Sequence, residues 1–278
     1  MPSDVMTLRE VQMAELEILL KFDRFCRENN LRYVLYYGTL LGAARHQGFI
    51  PWDDDIDIAM SRPEYDRFLK LVYDEHKVID PDYYVLSGDR DDGFAMPFAK
   101  VFDRNIEIVE ESKLYRHDSD HLWIDIFPID GFPDDWETNG YLKKIGNFRR
   151  NIGRSVTIPG TRRGKESIWK TLVRIPVAAV YNLIGYRRFR DGMIRTALQY
   201  PYDQCEYVGL SCWNDNSAAL VHRRSDFETK DTMMFEGHEL PIFGNYISLL
   251  EKRYSKKWYE LPPESVRQSH YIQARRIK

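Results

Sequence analysis

The sequence predicts an α+β fold, a mixed β-sheet with helices packed on it. Two observations carry this. Helical and strand-like periodicities alternate along the first half of the chain, which interleaves helices with sheet. Two strings, Pro51-Trp52-Asp53-Asp54-Asp55-Ile56-Asp57-Ile58 and Trp123-Ile124-Asp125-Ile126-Phe127, alternate apolar and acidic residues at the period of a strand. The 278 residues suffice for one large domain or two small ones with a full core. Apolar content of 43% and charged content of 30% are those of an ordinary globular protein.

The elements follow in order. Thr7 to Asn29 repeats apolar residues at helical spacing, and Thr7 with Glu10 forms a capping box. Tyr33 to Tyr37 is a strand by composition. Gly38-Thr39 then opens a short helix, Leu40 to His46. Gly48 and Pro51 punctuate a loop that delivers the acidic strand. Pro63 to Tyr73 is a helix with proline in its first turn. Tyr83 to Ser87, Phe98 to Phe102 and Ile106 to Glu110 are strands, followed by Trp123 to Phe127. Near the end, Phe235 to Ile242 is a hairpin crossing a Glu-Gly turn. Tyr246 to Tyr254 is an amphipathic helix, and Leu261-Pro262-Pro263-Glu264 bars its continuation.

Charge divides the chain unevenly. The net charge of −3 argues against a general nucleic-acid binder. Yet Lys143 to Arg195 holds fourteen Lys/Arg against two acids, Glu166 and Asp191, and includes the apolar run Ile175 to Tyr186. Three readings stand for this segment: a helical subdomain with a solvated basic face, a basic wall that attracts a polyanionic acceptor, and an amphipathic surface for an anionic membrane. The expected organisation is residues 1–140 as catalytic core, 141–200 as a basic helical insertion, and 201–278 completing one domain. The N-terminus lacks a basic region followed by an apolar run, so no signal peptide is expected. No run of about 18 uncharged apolar residues predicts a transmembrane helix. Cys26, Cys205 and Cys212 are odd in number and lack CxxC spacing, which fits free thiols in a reducing compartment better than a disulfide framework or a zinc site.

The acidic strings carry the chemistry. Asp55 and Asp57 share a strand face, and Asp125 sits between two isoleucines. Carboxylates set among apolar strand residues need a counter-charge. Three of them on neighbouring strands make an oxygen cage for a hard cation, Mg²⁺ or Mn²⁺. A calcium loop counted from Asp53 needs Gly at its sixth position and finds Ile58. Asp55, Asp57 and Asp125 are therefore the expected metal ligands. Asp53 has the right parity to ligate or to take a proton, while Asp54 points to the other side, into a supporting shell or solvent. Crowded carboxylates without a cation raise one another's pKa. Gly38-Thr39 at a helix start suits a phosphate. Arg45, by its planar fork, and Lys100, inside an apolar strand, are candidate phosphate donors. Lys100 reads equally as an exposed strand residue. His46 reads as a phosphate donor or as a helix C-terminal residue stabilised by the dipole.

Tyr37-Gly38-Thr39-Leu40-Leu41-Gly42-Ala43-Ala44-Arg45-His46 and Gly48 to Asp57 closely resemble the signature of the LicD family. Trp123 to Gly131, Phe235-Glu236-Gly237, Leu261 to Glu264 and His270 extend the likeness along most of the chain. Where that family commonly has a Tyr-Gly-Asp-Tyr-like string, this chain reads Tyr254-Ser255-Lys256-Lys257-Trp258. The resemblance implies a nucleotidyltransferase-like fold in which Gly38-Thr39, Asp55/Asp57 and Asp125 take the conserved roles of that fold. It implies a metal-dependent transfer of a phospho-alcohol, phosphocholine above all, from a CDP-alcohol donor to a sugar hydroxyl. The acceptor is a glycan or lipid-linked saccharide of the cell surface, such as teichoic acid or lipopolysaccharide, and CMP is released. The alternatives are a nucleotidyltransferase that releases pyrophosphate and a non-catalytic metal- or glycan-binding protein. The expected place is the cytoplasm at the inner face of the plasma membrane, with peripheral contact through 143–195.

Overall fold

The computed structural model describes residues 5–109, 120–157, 168–214, 217–267 and 273–277, with the side chains of 168–174 and 266 left aside. Helix α1 (Leu8–Glu28) is capped as expected, with the Thr7 side chain and the Glu10 carboxylate each closing on the other's backbone N–H. Its buried stripe runs Val11, Leu19, Phe22 and Phe25, but also includes Gln12 and Glu15. The strand expected over Tyr33–Tyr37 shortens to β1 (Val34–Leu35), because Tyr37 turns to φ +41° and starts helix α2 (Tyr37–His46).

Strand β2 (Asp57–Ser61) begins at Asp57, so Asp55 lies in the extended segment before it rather than in the strand. Helix α3 (Arg62–Leu69) has Pro63 in its first turn and continues into a wider π turn over Lys70–Asp74. Strand β3 (Tyr83–Ser87) is as expected. The two strands expected over Phe98–Phe102 and Ile106–Glu110 join into one, β4 (Ala99–Ile108), because an irregularity between Asp103 and Glu107 absorbs the break in pattern. Glu110 lies outside the described residues. Strand β5 (His121–Phe132) is long.

The helices α4 (Tyr141–Val156), α5 (Ile168–Ile184) and α6 (Tyr186–Ala197) form the basic segment. Then come β6 (Tyr207–Leu210), β7 (Val221–Arg223), α7 (Arg224–Glu228), β8 (Lys230–Phe235) and β9 (His238–Phe243). The β8–β9 turn places Glu236 at φ +50° and Gly237 at φ +80°, as a tight hairpin turn of the primed kind requires. Helix α8 (Tyr246–Tyr254) and strand β10 (Ala274–Arg276) complete the described chain.

The sheet is mixed, in the order β1-β2-β5-β4-β10, with β3 on β4 and β6–β7 continuing from β5. Only β2·β5 among the described pairs is parallel. Along β5 the period-two rule holds at the centre: Ile124 and Ile126 are fully buried, while Asp125 and Phe127 face a cleft. Helices α1 and α3 pack on the central strands and meet through Phe22 and Phe68, edge to face at 5.4 Å. A second apolar cluster, Phe132, Tyr141, Ile145, Ile152 and Met193, ties α4 and α6 to the end of β5. No helix of the described residues is long and apolar enough to cross a membrane.

Candidate active site

Strands β2, β5 and β4 bring three charged side chains to one level of the sheet. Asp57 is the register partner of Asp125, and Asp125 is the register partner of Lys100. Paired residues on adjacent strands point to the same face, so the row reads carboxylate, carboxylate, ammonium. Lys100 Nζ lies 3.3 Å from Asp125 Oδ1 and 4.0 Å from the centre of the Trp123 ring. Lys100 is therefore not the exposed strand residue that one reading allowed. It is the buried counter-charge of the acidic row, held also by the aromatic face.

A cleft of about 1000 Å³ opens over this row, and Asp53, Asp55, Asp57 and Asp125 all line it. The acids that are remote in sequence thus converge. A smaller cavity of about 330 Å³ beside Arg32, Glu64 and Tyr202 contains none of them. Burial pushes the Asp57 carboxyl well above its ordinary range, and Asp55, Asp125 and Asp53 push it further; Lys100 acts the other way. Asp53 is pushed up to about 6 by burial and by Asp54, against a hydrogen bond from Asp55 and the charge of Arg45. Carboxylate oxygens of Asp53, Asp54 and Asp55 lie within 4.8 Å of one another. Asp54 is buried and is not among the residues lining the cleft, so it does not face solvent, the one of its two expected placements that burial excludes.

This crowding of oxygen ligands in the segment that leads into β2 fits a hard divalent cation, which removes the repulsion that the fold otherwise sustains. Among the described residues the acidic oxygens that approach within 4.8 Å of one another belong to Asp53, Asp54 and Asp55, while Asp57 and Asp125 join Asp55 in lining the cleft.

The loop that carries the acids is fixed from behind. Gln12 Nε2 donates to the carbonyl of Asp53 at 2.7 Å. Glu15, one turn along α1, is buried, and one of its oxygens has no hydrogen-bond partner among the described residues. Its pKa is driven well up by burial and by Asp55, Asp54, Asp125 and Asp53. The sequence carried a signal for both: two polar residues, Gln12 and Glu15, sit at helical spacing on an otherwise apolar stripe.

The expected phosphate residues divide. Gly38 lines the cleft, and a Cβ built there would sit 2.7 Å from Asp53 Oδ2, so only glycine leaves Asp53 in place. Thr39 is buried behind it, its hydroxyl accepting the Asp57 backbone N–H at 2.8 Å. It positions the start of β2 and does not line the cleft. Arg45 lines the cleft and donates through Nη1 to the carbonyls of Trp258 and Glu260, at 3.2 and 3.3 Å, tying the C-terminal loop to α2. His46 does not line it; its Nε2 accepts from Arg45 Nε at 3.0 Å, and burial and Arg45 lower its pKa.

Two lining arginines had no clear sequence signal. Arg149, from α4, stacks on Trp213 at 4.9 Å, and Arg253, from α8, stacks on Tyr37 at 5.6 Å. With Arg45 these arginines form a cationic wall in the same cleft as the carboxylates. Leu261, Pro262 and Pro263 close its rim. His270 lies outside the described residues. Cys26, Cys205 and Cys212 are buried free thiols and do not line the cleft.

Residues 30–159 match the LicD/FKTN/FKRP nucleotidyltransferase domain. That span holds Gly38, Asp53, Asp55, Asp57, Lys100, Asp125 and Arg149. Over 274 residues the chain is 29% identical to the lipopolysaccharide cholinephosphotransferase LicD of Haemophilus influenzae, covering 96% of this chain and 97% of that protein. Both likenesses are to the LicD family. A shorter likeness, 37% over 67 residues, joins it to an uncharacterised protein of Rickettsia typhi, over 23% of this chain and 22% of that one. The cleft also draws on residues outside the matched domain, Trp213, Arg253 and Trp258 among them. The Haemophilus alignment spans nearly the whole of both chains, so the likeness is not confined to the acidic core.

Proposed function

We propose that this chain is a LicD-type phosphotransferase that moves phosphocholine from CDP-choline to a sugar hydroxyl of a lipopolysaccharide-type glycan, working in the cytoplasm and releasing CMP. The observation that carries this reading is a single cleft lined both by four aspartates, Asp53, Asp55, Asp57 and Asp125, and by Arg45, Arg149 and Arg253. A diphosphate donor needs both: carboxylates to hold a cation and guanidinium groups to hold its phosphate oxygens. Mg²⁺ or Mn²⁺ held by Asp55, Asp57 and Asp125 would supply charge neutralisation at the diphosphate and its leaving group.

The chain's own groups do the rest. The acceptor hydroxyl oxygen bonds to the phosphorus next to choline as the bond from that phosphorus to the CMP oxygen breaks. The hydroxyl proton passes to Asp53, which lines the cleft beside Arg45, whereas Asp125 is engaged by Lys100. Arg149 and Arg253, fixed on aromatic faces, orient the phosphates and cost little reorganisation as charge shifts to the leaving CMP. The family's nucleotidyltransferase fold keeps a second reading in play, in which a nucleotide is transferred and pyrophosphate leaves.

A donor screen decides the matter. The purified chain is incubated with CDP-choline, CDP-ribitol, CDP-glycerol or CDP-ethanolamine, with a glycan acceptor, in Mg²⁺ or EDTA. CMP release with CDP-choline that is lost in EDTA is the expected result. Pyrophosphate from a nucleoside triphosphate selects the second reading, and neither product refutes both.

A further inference from the structure

Over residues 175–184, helix α5 turns to solvent a side without a polar residue in it. Pro176, Val177, Ala179, Val180, Leu183 and Ile184 are all exposed, Leu183 at 89%. At about 100° per residue they cover an arc of about 160°. The opposite side is the packed one. There Ala178 is buried, Asn182 Nδ2 donates to the Thr157 carbonyl at 3.0 Å, and the Tyr181 ring leans on Phe189. Contiguous apolar surface of this kind marks an interaction site.

Charge says what covers it. The segment 143–195 carries a net charge of +12 within a chain of net −3. Arg154, exposed on α4, reaches the flank of α5, its guanidinium 5.4 Å from the Tyr181 ring centre. Arg187 and Arg188, both exposed, follow the Gly185 turn at the end of α5. Arg150 is exposed one turn before Arg154. An apolar strip rimmed by arginines is the complement of an anionic bilayer surface, with acyl chains under the strip and phosphates under the rim.

We propose that α5 is a membrane-docking helix that lies in the interface of an anionic phospholipid bilayer. Its apolar arc enters the acyl boundary, and Arg150, Arg154, Arg187 and Arg188 meet the headgroup phosphates. The placement serves the cleft. Helix α4 packs on α5 and also puts Arg149 over Trp213 in the cleft wall. A bilayer seated on α5 therefore lies one helix layer, about 10 Å, from the cleft. A glycan on a lipid anchor has a short reach to that opening.

The test needs no donor and no turnover. The full chain is sedimented with vesicles of phosphatidylcholine alone, or of phosphatidylcholine mixed with phosphatidylglycerol. Binding at about 0.1 M salt is expected to be at least about tenfold greater on the anionic vesicles and to weaken toward about 1 M. The V180S/L183S double variant changes exposed atoms only, so its melting temperature stays put while vesicle binding drops at least about tenfold. Arg188→Glu weakens binding and flattens the salt response. The proposal is overturned if the wild type ignores anionic vesicles, or if V180S/L183S binds them like the wild type. It is equally overturned if ultracentrifugation shows a dimer that V180S/L183S dissolves, since a second copy then covers the face.

Discussion

Lys100 and Asp125 are register partners on adjacent strands, and their charged ends meet at 3.3 Å at the floor of the cleft. Both the ammonium and its aromatic support on Trp123 are inside the protein. Removing one member of such a pair leaves the other charge buried and uncompensated. Lys100→Met should cost about 3–5 kcal/mol of stability in urea unfolding without divalent ions. Lys100→Met with Asp125→Asn should recover a large part of that loss. Equal and additive losses in the two single variants would show that the pair is not coupled.

Asp57 sits at the other end of the row and presents the opposite balance. It is crowded by like charges and needed for chemistry. Asp57→Asn should cut CMP release by at least about 10³-fold, because a charge aimed at the reacting phosphates is lost. Its unfolding midpoint should hold or rise, since a repulsive buried charge is gone. Near-wild-type turnover in a folded Asp57→Asn protein would remove Asp57 from the site.

How much of this was legible depends on how local each cause is. The Thr7–Glu10 cap and the Glu236-Gly237 hairpin are set within four residues, and both are where the sequence put them. The parity of Asp125 between Ile124 and Ile126 is local too, and it correctly turns Asp125 to the cleft. The alignment of Asp57, Asp125 and Lys100 is a matter of register across three strands, and no window of sequence contains it. That is why Lys100 read as evenly exposed or functional. Arg149 was one of fourteen basic residues until α4 packed over Trp213. The alternation predicts one strand through Asp55 and Asp57; β2 starts only at Asp57, yet both carboxylates reach the same cleft.

His222 predicts a pH effect on stability apart from the site. It pairs with Val208 across β6 and β7, its ring contacts Phe243, and Tyr36 Oη lies 3.3 Å from its Nε2. Burial lowers its pKa from 6.5 to about 3, and Lys252 adds to this. The unfolded chain takes up this proton below about 6.5, and the folded chain only near 3. The unfolded state thus holds more protons in that window, and stability falls as pH falls through it. By pH 5 the loss from this residue is about 2 kcal/mol. His222→Phe should start less stable at pH 8, by about 1–2 kcal/mol for the unpaired Tyr36 hydroxyl. It should then lose less on acidification than the wild type. Parallel urea midpoints from pH 8 to pH 5 would contradict the assignment.

Gly38 separates the cost to the fold from the cost to the chemistry. A methyl group at Gly38 meets the far end of the Asp53 side chain at 2.7 Å, with the Asp53 Cγ next at 3.8 Å. The obstacle is a carboxylate that can swing aside, and no backbone atom stands within 4 Å. Gly38 itself is helical, with no positive φ for alanine to violate. Gly38→Ala should therefore change the unfolding free energy by no more than about 1 kcal/mol, alanine being the better helix former. The displaced carboxylate is the one proposed to take the acceptor's proton, and a displacement of about 1 Å at a reacting group costs on the order of 10²-fold in rate. CMP release should fall by about that factor, with the loss in kcat rather than in KM for the donor. A Gly38→Ala protein with unchanged kcat would mean that Asp53 is not where the proton goes. An unfolded one would mean that the loop has less freedom than its contacts indicate.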